Sequence, residues 1–162
     1  MKIIIWIRRF SERFHIYIHL LVGLLSVWQT SRFLDTVVDW NWMLAGLLGA
    51  VLPDIDHLMF IFGYGRKSEY AKVSKAYMRL WKWNDLIVYW KKNHKSNTNI
   101  VSHNILSLAL FYGLYKLFVG RSHYAIGVLF VSMGNHFIFD LIEDLLFMGR
   151  FNRNWWLRFG RD

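Results

Sequence analysis

Histidine and aspartate side chains occur at helical spacing within otherwise apolar sequence. His136 and Asp140 are four residues apart, as are His15 and His19, so each pair shares one face of a helix. Neutral imidazole and carboxylate groups are ligands for divalent metals such as zinc and manganese. An ionised aspartate within a membrane costs ~2.5–3.5 kcal/mol on insertion scales, and a bound cation would offset that cost. The spacing therefore predicts a metal site.

The stretch LPDIDH, residues 52–57, contains the only proline of the chain. Pro53 is expected to break or bend a helix, which would turn Asp54 and His57 toward a shared centre. Asp56 lies between them and is a candidate general base, or a residue that orients a water molecule. The alternative is that both aspartates are ordinary loop acids after a helix-ending proline.

Four apolar segments must position these residues. Each approaches the ~20 residues that cross a ~30 Å hydrocarbon core, and they cover about residues 14–30, 40–62, 100–119 and 124–147. Hydrophobic residues make up 55% of the chain, which favours a membrane protein. We therefore expect one domain, residues 1–162, that forms an all-α helical membrane bundle of about four transmembrane helices. A soluble all-α bundle with buried helices is the alternative.

Basic residues give the chain a net charge of +9 and alternate between its connecting segments. They are frequent before the first apolar segment, in residues 63–99 and after the fourth apolar segment, and scarce in the other two links. By the positive-inside rule, this predicts a multi-pass protein of the plasma (inner) membrane with both termini cytoplasmic.

A basic and strongly apolar chain is not typical of nucleic-acid binders, so no nucleic-acid partner is expected. The absence of cysteine excludes disulfides and thiolate metal sites.

The long basic segment, residues 63–99, interleaves aromatic residues among nine lysines and arginines. This pattern predicts an interfacial amphipathic helical segment on the cytoplasmic face, resting on anionic headgroups. Membrane lipids are thus expected partners.

The same topology brings the buried polar residues of all four spans toward the cytoplasmic side: His15, His19, Asp54, Asp56, His57, His103, His136 and Asp140. A lone histidine in an apolar helix is usually a hydrogen-bonded core residue, and His15 and His123 fit that description.

The motif LPDIDH resembles the signature of the bacterial membrane-bound metal-dependent hydrolases of the YdjM-like group. That family combines an early histidine, LLPDIDH, an HRG-x-TH-S segment and a final His-x3-Asp. The counterparts here are His19 in HLLVG, the nearly literal second motif, His103 in HKSNTNIVSHNIL, and His136 with Asp140 in GNHFIFDLIEDLL. The similarity extends in order over about residues 19–144.

Two features depart from the family pattern. The histidines of its third element are five residues apart, whereas His94 and His103 are nine apart. The T-P-x-G that follows the last aspartate in the family is replaced by LIEDLLFMG, which adds Glu143 and Asp144.

The resemblance implies a metal-dependent hydrolase with one or two divalent ions, zinc or manganese, and six ligands: His19, Asp54, His57, His103, His136 and Asp140. Bound metal lowers the pKa of water toward ~7 and so makes hydroxide available. Asp56 or His94 would act as general base or orient that water. A phosphoester, for example a lipid headgroup, is the expected substrate, with Arg79, Lys92 and Lys95 neutralising its phosphate.

Two other functions fit the same residues. A membrane scaffold or interaction protein would use the metal as a structural pin, with closed coordination. A transporter or ion pathway would carry polar residues at several depths rather than on one side of the membrane.

Overall fold

The computed structural model of the protein describes residues 2–93, 100–152 and 155–156. These residues are mainly helical and include no strand, which confirms the predicted all-α class. The helices are α1 (Lys2–Leu34), α2 (Trp40–Val51), α3 (Ile55–Phe62), α4 (Glu69–Arg79), α5 (Trp83–Asn93), α6 (Ile105–Gly120) and α7 (Tyr124–Met148), with a 3₁₀ turn at Leu52–Asp54 between α2 and α3.

Helix α7 is the centre of the bundle and packs against α1, α2 and α6, while α1 also packs against α2. Glycines allow the close approach of these helices. A Cβ atom on Gly23 would lie 2.5 Å from the carbonyl oxygen of Gly46, and one on Gly49 would overlap the carbonyl of Leu129. Small residues at helix crossings are typical of membrane bundles, where close backbone packing holds helices together.

Interhelical hydrogen bonds fix the rotation of α7 within the bundle. Ser132 donates to the carbonyl of Gly46 at 2.7 Å, which ties α7 to α2. Asn135 donates to Ser26 on α1 at 2.8 Å and accepts from the Tyr112 hydroxyl on α6 at 2.5 Å. Two consecutive turns of α7 are thus bonded to three different helices.

Two of the apolar helical stretches among the described residues are long and apolar enough to cross a membrane, Trp40–Phe62 and Tyr124–Leu146. Ile105–Gly120 is a shorter apolar helix. Helix α1 contains the first predicted segment and continues toward the N-terminus through non-helical backbone angles at Phe14, but it is not one of these two stretches.

Pro53 interrupts the second apolar segment, as the sequence predicts. The backbone changes from α to 3₁₀ at Leu52, and α3 then begins at Ile55. The last carbonyls of a helix lack intrahelical donors, so the end of α2 offers acceptors to neighbouring side chains. One of them, the carbonyl of Ala50, is used by the functional site described below.

The third apolar segment begins later than its hydropathy predicts. Residues 100–104 are not helical, and α6 starts at Ile105 after an N-cap in which Asn104 accepts from the backbone N–H of Ser107 at 2.8 Å. His103 therefore lies in an irregular stretch before the helix, rather than on its first turn. The capping side chain overrides the apolar pattern because it satisfies free N–H groups at that point.

The basic segment forms two helices, where the sequence suggested one continuous interfacial element. Helices α4 and α5 pack against each other as a hairpin, and α4 also contacts α3. Ser68 caps α4 by accepting from the N–H of Ala71 at 3.2 Å. The reversal occurs at residues 80–82, where Trp81 takes a positive φ of 55°.

Candidate metal centre

Five acidic and imidazole side chains from four separate parts of the chain meet at one end of the bundle. Helix α7 supplies His136 and Asp140, α1 supplies His19, the 3₁₀ turn supplies Asp54, and the irregular stretch before α6 supplies His103. The 3₁₀ turn that contains Pro53 carries Asp54, and the irregular stretch before the Asn104 cap carries His103, and both side chains approach α7 from there.

The nitrogen and oxygen atoms of these residues face one another. His136 Nε2 lies 3.2 Å from Asp140 Oδ2 and 3.7 Å from Asp54 Oδ1. His103 Nε2 lies 3.6 Å from Asp140 Oδ2, and His19 Nε2 lies 3.7 Å from Asp140 Oδ1. Ligands at ~2.0–2.2 Å from one ion are separated from each other by distances of this order. Within 4.8 Å, the atoms form two triads, His19–His136–Asp140 and Asp54–His103–His136.

His136 is the best test of whether these residues fit a metal. Its Nδ1 lies 2.7 Å from the carbonyl oxygen of Ala50 and must donate there, because a carbonyl can only accept. In the neutral ring this leaves a lone pair on Nε2, which is buried and faces carboxylate oxygens of Asp140 and Asp54 at 3.2 Å and 3.7 Å, so that a proton or a cation is needed between them. A metal-ligating histidine is oriented in this way, by a backbone carbonyl on its other nitrogen. The donor set fits a divalent cation.

A cavity of about 60 Å³ adjoins the cluster. Its described lining includes the carboxylates of Asp54, Asp140, Glu143 and Asp144, and includes no lysine or arginine. This volume exceeds the ~10–15 Å³ that a water molecule needs. The cavity can therefore hold water, and its excess of carboxylates favours a cation.

The exposure of the donors shows which side of the cluster is open. The side chains of His136, His19, His103 and Asp140 are 0%, 2%, 10% and 17% exposed, whereas that of Asp54 is 40% exposed. The four other donors thus form the buried wall, and Asp54 stands at the edge that faces the cavity.

His57 lies at the cavity but in neither triad. Its ring centroid is 5.4 Å from that of His103, and it lines the cavity beside Asp54. The structure therefore brings together five of the six predicted ligands and leaves His57 beside them. Of the predicted phosphate-binding residues, Arg79 on α4 and Lys92 on α5 are exposed and do not line the cavity. His94 and Lys95 lie outside the described residues.

His15 contributes to the site although the sequence suggested only a hydrogen-bonded helix residue. It is hydrogen-bonded, but to the cluster itself, because its Nε2 lies 3.1 Å from Nε2 of His19. Its Nδ1 lies 3.8 Å from Oε1 of Glu143, whose carboxylate also accepts from the Ser11 hydroxyl. The i,i+4 spacing of His15 and His19 was the signal in the sequence.

Two further residues at the cavity come from the C-terminal part of the chain. The indole of Trp155 donates to Asp144 Oδ2 at 2.9 Å, and both side chains are buried. The Trp155 ring also stands 6.2 Å from the ring of His103 and 5.7 Å from that of Phe137. Nothing in the local sequence around Trp155 indicates this contact.

Asp56, predicted as a general base, forms a clamp on the stretch that carries His103. Its Oδ2 accepts from the N–H of Ser102 at 2.9 Å, and its Oδ1 accepts from the Tyr64 hydroxyl at 2.9 Å. That hydroxyl accepts in turn from the N–H of Val101 at 3.1 Å. Burial raises the pKa of Tyr64 above its usual value, so its hydroxyl keeps the proton that it donates to Asp56.

Removing this clamp is expected to weaken metal binding without removing a ligand. In the Asp56→Ala variant, the Ser102 N–H loses its acceptor, and so does the Tyr64 hydroxyl that accepts from the Val101 N–H. His103 then loses its fixed approach to the cluster. Substitutions behind a ligand typically cost ~10–100-fold in metal affinity, and we expect the lower end of that range. Competition with a chelating dye would measure the change. Tyr64→Phe should have a smaller effect, and Asp85→Ala, at an exposed site on α5, should have none.

Comparisons with known proteins agree with the composition and the motifs. No curated protein and no solved structure significantly matches the chain. A family model described as YdjM inner membrane protein matches residues 15–147, a range that includes every residue of both triads. The match covers most of the chain and confirms the resemblance carried by LPDIDH. The protein belongs to the YdjM inner membrane protein family.

Proposed function

We propose that this membrane protein is a metal-dependent hydrolase that acts on a phosphoester, lipid-linked or free, at the cytoplasmic face of the inner membrane. The observation that carries the proposal is the buried Nε2 of His136, which faces the carboxylates of Asp140 and Asp54 beside a cavity that can hold water. The multi-pass topology with both termini cytoplasmic is part of the proposal. It puts this end of the bundle at the cytoplasmic leaflet.

The donor chemistry suits zinc or manganese, in one or two ions. If two ions bind, Asp140 would be the residue that holds both, because its Oδ1 faces His19 whereas its Oδ2 faces His103 and His136. A carboxylate shared in this way is the common link between the ions of two-metal hydrolases. Glu143 and His15 extend the donors on the α1 side of the cavity.

The protein's own residues have separate roles at this site. When bound, a divalent cation supplies Lewis acidity and lowers the pKa of coordinated water. Asp54 and His57 stand at the open edge, where they can hold a proton or orient a water molecule. Asp56 holds the His103 stretch in place. An anionic phosphate would meet no lysine or arginine on the described cavity wall, so its charge would have to be met by the cation.

The test is whether the bound metal keeps an open coordination position. Cobalt(II) would be loaded into the detergent-purified protein, and its visible spectrum followed as orthophosphate is added. A hydrolase site should show a saturable spectral change, and the same protein should release product from a phosphodiester or phospholipid panel. His57→Gln, a change at the cavity but outside both triads, should retain cobalt but lose most of the turnover, by ~10²-fold or more if His57 serves in proton transfer.

The matched control is His123→Gln, an exposed histidine at the start of α7 that lies away from the cavity. Its spectrum and turnover should equal those of the wild type. If cobalt binds but its spectrum does not respond to phosphate, and no substrate of the panel is turned over, the metal is a structural pin and the scaffold function replaces the hydrolase.

A further inference from the structure

The α4–α5 hairpin is held together by its own interior contacts. Ala71 and Ser74 on α4 and Leu86 on α5 are almost completely buried between the helices. Trp90 donates to the Ser74 hydroxyl at 3.0 Å, and the rings of Tyr70 and Tyr89 lie 5.5 Å apart. The shape of the hairpin is therefore set by contacts within it and with α3.

The turn of this hairpin exposes large apolar side chains. Leu80 is 65% exposed, Trp81 is 78% exposed and Trp83 is 48% exposed. The positive φ of Trp81, 55°, is a costly conformation for a residue with a large side chain. The two indole rings lie 5.9 Å apart. Leu80, Trp81 and Trp83 thus form one exposed apolar surface on a strained turn, the apolar wedge.

The surface around this wedge is strongly basic. Residues 63–93 contain eight lysines and arginines and two acidic residues. Arg79 and Lys82 directly flank the exposed Leu80 and Trp81, and both are exposed. Tryptophan together with lysine and arginine is the combination found at the headgroup level of membranes.

The hairpin is continuous with a membrane-crossing stretch. Helix α3 ends the apolar stretch Trp40–Phe62, and α4 packs against α3. The Lys75 ammonium stands 5.8 Å from the centre of the Phe62 ring, at the end of that stretch. The hairpin therefore lies at the end of the bundle that carries Asp54 and the cavity.

From these features we infer that the α4–α5 hairpin binds an anionic lipid leaflet, with Leu80, Trp81 and Trp83 inserted among the headgroups and acyl chains and the flanking cations Arg79 and Lys82 on lipid phosphates. The apolar wedge and the basic flanks match the two layers of such a leaflet. An interfacial apolar face typically enters ~5–10 Å into this boundary. The inference is independent of hydrolysis and holds whether the metal is catalytic or structural.

The chain contains no cysteine, which allows a direct measurement of depth. Trp81→Cys would be labelled with a nitroxide in the full-length protein, in nanodiscs of phosphatidylcholine with phosphatidylglycerol. Its accessibility to oxygen, which concentrates in the bilayer, would be compared with accessibility to a water-soluble nickel complex. Lys72→Cys, exposed on α4, is the aqueous control, and Leu110→Cys, exposed on the apolar helix α6, is the bilayer control.

We expect the label at residue 81 to favour oxygen and to lie ~5–10 Å below the phosphates, between the two controls. A label as accessible to nickel as that at residue 72 would overturn the inference. Dipolar broadening would show that a second copy of the chain covers the wedge, and would overturn it as well. An equal depth of the label in pure phosphatidylcholine would show that the basic residues beside the wedge do not contribute to binding. It would overturn the inference that the hairpin prefers anionic lipids. Leu80→Cys gives the same measurement with both tryptophans intact.

Discussion

Replacing His136 by alanine is expected to leave the purified protein without stoichiometric metal. His136 belongs to both ligand triads, so its loss removes a donor from each of them. It also removes the bond to the Ala50 carbonyl that orients the site. Because substitutions behind a ligand already cost ~10–100-fold in affinity, losing this shared donor should cost ~100-fold or more. Metal analysis of the detergent-purified protein would show the loss.

Two comparisons separate a lost ligand from a lost fold. His123→Ala should retain the full metal content of the wild type, since His123 is exposed and outside both triads. His136→Ala should keep its helical circular dichroism and its gel-filtration position. Wild-type protein without metal, or a His136→Ala variant that still binds it stoichiometrically, would contradict the assignment of the site.

The Gly49→Ala substitution is expected to lower both stability and metal affinity, although Gly49 contributes no ligand atom to either triad. The new Cβ would overlap the Leu129 carbonyl on α7 and approach Ser132 Cβ to 2.8 Å. Overpacking of this kind typically costs ~1–3 kcal/mol. The residue after Gly49 is Ala50, so moving α2 away from α7 also displaces the acceptor of His136. We expect a lower melting temperature. Metal binding should weaken by ~10-fold, because substitutions of groups that orient a metal ligand reduce the affinity by a factor of this order.

Gly113→Ala is the matched control for this substitution. Gly113 also lies within an apolar helix, α6, but a Cβ there meets nothing within 4 Å. Alanine should stabilise that helix by ~0.5–1 kcal/mol relative to glycine. If the two variants melt alike and bind metal alike, the close approach of α2 and α7 does not support the site.

Local rules were sufficient to predict the parts of the site that depend on spacing within one element. The i,i+4 pair His136–Asp140 lies on one face of α7 because helix geometry alone places it there, and the break at Pro53 follows from the missing N–H of proline. The resemblance then supplied His103 as a candidate ligand, although the residues around it are too irregular for periodicity to place it.

The parts that were missed depend on contacts between distant segments. In the sequence, Glu143 and Asp144 are an acidic pair added after the last family motif. Their position at the cavity involves contacts with Ser11, His15 and Trp155, which the local sequence does not indicate. Conversely, Arg79 and Lys92 were predicted to bind phosphate because of their charge. Both lie exposed on the α4–α5 hairpin, between the second and third apolar segments. The reversal at Trp81 has no glycine to signal it, so hydropathy could not separate α4 from α5.

The order in which the donors occur along the chain has a consequence for biogenesis. His19 lies in the first helix, Asp54 and His103 follow, and His136 and Asp140 lie in the last helix. During synthesis, neither triad can form until α7 has left the ribosome and joined the earlier helices. If the site binds a metal, its capture would report that these helices have assembled. Because the ion would bind only the assembled form, its binding free energy would favour that form late in maturation.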